Sequence, residues 1–119
     1  SRIITIERSL KPEFYKKIDK LGNIKKIDGL AYIYSDNVDE ILKLAKEYFI
    51  GGPWYIHSEG PVNKILFHSK SGENKIFDWS NGGGVSEAID YGLSIKIKKE
   101  QLDFHQLREA KSVCRTRTD

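Results

Sequence analysis

The sequence predicts a single α+β domain. Three observations point there. The chain has 119 residues, the usual size of one domain. Its hydrophobic fraction of 39% against 31% charged supports one core and argues against wholesale disorder. Segments of helical and strand period alternate along it, separated by glycine and proline punctuation.

The apolar run from Ile3 predicts a strand over 3–7. Ser9 and Pro12 open a helix, since proline is tolerated in the first turn. Phe14, Ile18 and Leu21 draw its apolar stripe, and Gly22-Asn23 stops it. Asp28-Gly29 introduces a second strand over 30–34. Asn37 with Glu40 has capping-box spacing. Val38, Ile41, Leu42, Ala45, Tyr48 and Phe49 then form the clearest amphipathic pattern in the chain, ended by Gly51-Gly52-Pro53.

Three strands follow, over 54–58, 64–69 and 75–79, with turn chemistry between them. A short helix is expected over 85–91. Leu93, Ile95 and Ile97 alternate with polar residues, which predicts a strand, and a last helix is expected over 100–113. The order reads β-α-β-α-β-β-β-α-β-α. It implies a mixed sheet with a central antiparallel three-strand meander and helices mainly on one face.

Composition limits the function classes. The formal net charge is +3, a lean toward anionic partners. Arg108, Lys111, Arg115 and Arg117 face only Glu109 before Asp119, so residues 112–119 read as a frayed basic tail. Cys114 is the single cysteine, which excludes an internal disulfide and a thiolate-rich zinc site. It favours a reducing, cytoplasmic setting. No apolar run approaches the roughly 18–20 residues of a membrane span. Walker, dinucleotide-binding, zinc-protease and serine-hydrolase motifs are all missing, so no cofactor is expected.

Two groups of residues could carry chemistry. Strand alternation suggests that His57 and His68 share a face of the meander, about 5 Å apart if directly opposed. Two imidazoles with a lysine, Lys64 or Lys70, are the parts of metal-free RNA cleavage. With Glu59 the same pair could instead hold a metal. Tyr55, Phe77 and Trp79 either join that face as a stacking platform for unpaired bases or enter the core. Second, Ser80-Asn81-Gly82-Gly83-Gly84 precedes a helix start, where converging N–H groups favour a phosphate.

The leading expectation is a small domain that engages RNA or single-stranded nucleic acid, through Tyr55, Phe77, Trp79 and the basic tail. One alternative is a metal-independent ribonuclease using His57 and His68. The other is a protein-binding inhibitor or accessory subunit, with Tyr32, Tyr34, Trp54 and Tyr55 as contact residues.

Overall fold

The computed structural model describes residues 1–80 and 84–102. Six strands run along the described residues: β1 (Arg2–Ile6), β2 (Asn23–Ile27), β3 (Leu30–Tyr34), β4 (Trp54–Glu59), β5 (Lys64–His68) and β6 (Asn74–Asp78). Three helices accompany them: α1 (Pro12–Ile18), α2 (Val38–Tyr48) and α3 (Val85–Ser94). The strands form one sheet in the order β2-β3-β1-β4-β5-β6. The α+β class and the β4-β5-β6 meander are as the sequence predicts.

The sheet is antiparallel throughout rather than mixed. The reason is β2, which the sequence reading missed. A strand, a helix and a strand would return parallel. One more strand reverses the chain, so β3 comes back antiparallel beside β1. The turn joining β2 to β3 is Asp28-Gly29, with φ +52° and +81°. Positive φ at both central residues is the requirement of the tight two-residue hairpin turn.

The helices cover both faces. On one side α1 and α2 bring Phe14, Ile18, Ile41 and Leu42 onto Ile3, Ile33, Ile56 and Leu66, all fully or almost fully buried. Each such burial is worth about 1.5–3 kcal/mol relative to exposure. Asn37 forms no side-chain cap on α2; its own N–H donates to Ser35 Oγ at 2.9 Å. On the other side α3 covers only β4, β5 and β6. Ala88, with Ile97 and Leu102 beyond the helix, packs there on Ile65, Phe67 and Trp79.

The strand expected over 93–97 does not form. The Ile97 N–H donates to the Gly92 carbonyl and the Lys96 N–H to Leu93, both at 3.1 Å. Lys96 sits at φ +74°. This is the Schellman end of α3, which folds Ile97 back into the core. Of the helix expected over 100–113, only a 3₁₀ turn at Lys99–Gln101 and the buried Leu102 fall among the described residues.

Candidate functional site

The histidines are not brought together. In the β4–β5 ladder Trp54 pairs with His68, Tyr55 with Phe67, Ile56 with Leu66 and His57 with Ile65. His57 therefore points toward the α3 side and His68 toward the α2 side. Strand parity would pair the two imidazoles only if one face of the meander were left to solvent. Both faces of these strands are covered, so the register matches two apolar sets at once. Ile56 meets Leu66 under α2, and Tyr55 meets Phe67 under α3.

His57 is buried, its ring tilted against Tyr55 at 5.9 Å. His68 is half-buried and stacks on Phe49 at 4.7 Å. Its Nδ1 lies 2.7 Å from Asn74 Oδ1. Lys64 bonds Asp39 Oδ1 at 2.6 Å and lies 3.9 Å from Asp78 Oδ2. The Asp39 bond, first among the causes, holds its ammonium pKa above the ordinary lysine value. Lys70 lies exposed in the β5–β6 turn. His57 and His68, on opposite faces of the sheet, form no two-imidazole site with Lys64 or Lys70. No group of three His, Cys, Asp or Glu residues suited to a metal occurs among the described residues.

Phe77 and Trp79 join the face of Tyr55, but that face lies under α3. Trp79 is 3% exposed, and Tyr55 and Phe77 pack against the same cluster. The Tyr55 hydroxyl donates to the Gln101 carbonyl. These rings are core, not platform. Arg108, Lys111, Arg115, Arg117 and the 112–119 tail lie outside the described residues, as does Cys114.

Of the expected phosphate loop, Ser80 and Gly84 are described, while Asn81, Gly82 and Gly83 are not. Gly84 caps α3 at φ +85°. Ser80 donates both its N–H (2.9 Å) and its hydroxyl (2.7 Å) to Asp78 Oδ1. Its oxygen accepts the Asn63 N–H at 3.0 Å. The Ser80 N–H, then its hydroxyl and the nearby Lys64 hold the Asp78 carboxyl below its ordinary value. The serine's donors are thus committed to a carboxylate, whose charge repels a second anion.

Among the described residues, no helix covers the α3-side face of β1, β3 and β2, where Ile4, Ile6, Leu30 and Tyr32 are half-buried. The registers place Arg2, Ile4 and Ile6 of β1 beside Tyr34, Tyr32 and Leu30 of β3. Those in turn stand beside Asn23, Lys25 and Ile27 of β2. None of these residues belongs to either buried cluster. Tyr34 is 41% exposed and Ile27 53%. The Arg2 guanidinium lies 5.4 Å over the Tyr32 ring and bonds Glu59. The Lys25 ammonium lies 5.8 Å over Tyr34.

No family model, curated protein or solved structure matches this chain. Its own geometry is therefore the ground for a functional reading. Tyr32 and Tyr34 stand out in the sequence as contact aromatics. The neighbours that make them a surface do not, because their alignment depends on β2. The Asp28-Gly29 dipeptide was the signal that could have revealed it.

Proposed function

We propose that this chain is a non-catalytic protein-binding module that engages its partner through the open half of the sheet. The observation that carries this reading is the run of half-buried Ile4, Leu30 and Tyr32 with exposed Tyr34, on a face that no helix covers among the described residues. Apolar and aromatic side chains gathered on one rigid surface, with cations at its margin, are the composition of an interaction hot spot. A cation already sits over each tyrosine ring. A nucleobase stacking there would compete with Arg2 or Lys25, whereas a protein can use ring edges, hydroxyls and the isoleucines between them.

The test compares the parent chain with Tyr34→Ala and Tyr32→Ser as immobilised baits in native extract. A partner retained at high salt by the parent, and lost by both variants with their fold intact, is the expected result. An oligonucleotide panel run in parallel near ~50 mM salt, where phosphate contacts are strongest, carries the nucleic-acid alternative. Capture that ignores both substitutions, or tight oligonucleotide binding in place of a protein partner, overturns the proposal.

A further inference from the structure

We infer that β2 accepts an extended acidic segment of the partner protein, which adds to the sheet as a further strand; this rests on the open face being the binding surface. Among the described residues β2 is an end strand, with β3 as its one partner. Four of its five residues are exposed and Ile24 is half-buried. An end strand presents a row of backbone donors and acceptors on its free side, which an extended peptide can pair. The strand is continuous with the open face, since Lys25 and Ile27 belong to both.

Charge says which segment fits. Between Lys16 and Asp28 the chain holds five lysines against two aspartates. That excess of three equals the net charge of the whole protein, so the remainder is balanced. Lys26 is partly answered by Glu7 at 3.3 Å and lies 4.7 Å from the centre of the Tyr15 ring. Lys25 pairs with no carboxylate among the described residues and rests on Tyr34. A second copy pairing by the same edge would set lysine against lysine, the arrangement proteins use to prevent such pairing. An acidic strand meets the opposite situation: its carboxylates reach Lys25 on one face and Lys26 on the other, because alternate residues point to opposite sides. The far edge, β6, carries Lys75 and Asp78 together and offers no such bias.

The experiment titrates the ¹⁵N-labelled chain with a short synthetic peptide in which Glu-Glu pairs alternate with Val-Val pairs, so that each face of the added strand carries carboxylates, and with its Lys-for-Glu counterpart. Expected are amide shifts concentrated at residues 23–27 with the acidic peptide only, weakening as salt rises. Lys25→Glu and Lys26→Glu should each weaken binding about tenfold, since like charges across an interface repel strongly. Lys25→Gln should fall between, and all three are surface changes whose fold the same spectra check. Equal binding of the basic peptide, shifts centred elsewhere, no shifts at all, or broadening at β2 from self-association would each overturn the inference. Tyr34→Ala separates this outcome from the reading above. A failed edge with an intact face leaves capture from extract sensitive to Tyr34 and insensitive to Lys25. A failed face leaves peptide binding untouched by Tyr34→Ala.

Discussion

Tyr34 and Phe67 stand on the same side of one sheet, three strands apart, and only one of them is covered. Phe67 is fully buried against Phe77 and Tyr91, while Tyr34 is 41% exposed under a lysine. The difference follows from α3, which reaches β4, β5 and β6 and goes no further. Phe67→Ala should cost about 3–5 kcal/mol of unfolding free energy, the usual loss for a buried ring. Tyr34→Ala should cost less than about 1 kcal/mol, as surface changes do. Urea unfolding followed by circular dichroism measures both. Similar losses would mean that the open half is core as well.

The two bonds from Ser80 to Asp78 make a prediction for acid. A carboxyl held below its ordinary value of 3.8 adds stability above that value. The contribution disappears as pH falls through the still lower folded value. Asp78 is half exposed, so solvent screens the effect and it is small. Asp78→Asn should make the loss of stability shallower between pH 3.8 and the acid limit. Ser80→Ala should act in the same direction by releasing the carboxyl toward 3.8. Urea midpoints measured across that range decide it; acid limbs identical to the parent's would refute it.

Lys96 occupies a left-handed position at the end of α3. A residue with a Cβ is disfavoured there by about 1–2 kcal/mol. Glycine removes that cost but gains freedom in the unfolded chain. Lys96→Gly should therefore stabilise the protein by about 0.5–1 kcal/mol. Thermal unfolding tests it, and a lower midpoint would count against the reading.

These same elements explain what could be read in advance. Val38, Ile41, Leu42 and Ala45 announce α2, because a helix buried along one stripe repeats its apolar residues at that spacing. β2 has nothing comparable to announce. Lys25 and Lys26 occupy both faces of a strand at the rim of the sheet, and no apolar period survives there. Leu93, Ile95 and Ile97 mislead for a related reason. Their alternation spans the end of a helix, where Leu93 is exposed and Ile97 turns inward. The histidine pair fails because side-chain parity depends on register. Register in turn depends on a helix, α3, that lies later in the chain than both strands.

β1 precedes the other five strands in chain order yet lies in the interior of the sheet. Its partners are β3 on one side and β4 on the other. During synthesis the first three strands can assemble once Tyr34 has emerged, but Ile3 and Thr5 wait for Ser58 and Ile56 to close their other side. In that interval the nascent domain carries an unfinished edge of unpaired backbone donors and acceptors. Long-range pairing of this kind is slow and prone to wrong partners. Shortening the delay, by supplying residues 54–59 early as in a circular permutant, would leave the finished sheet the same and change how safely the cell arrives at it.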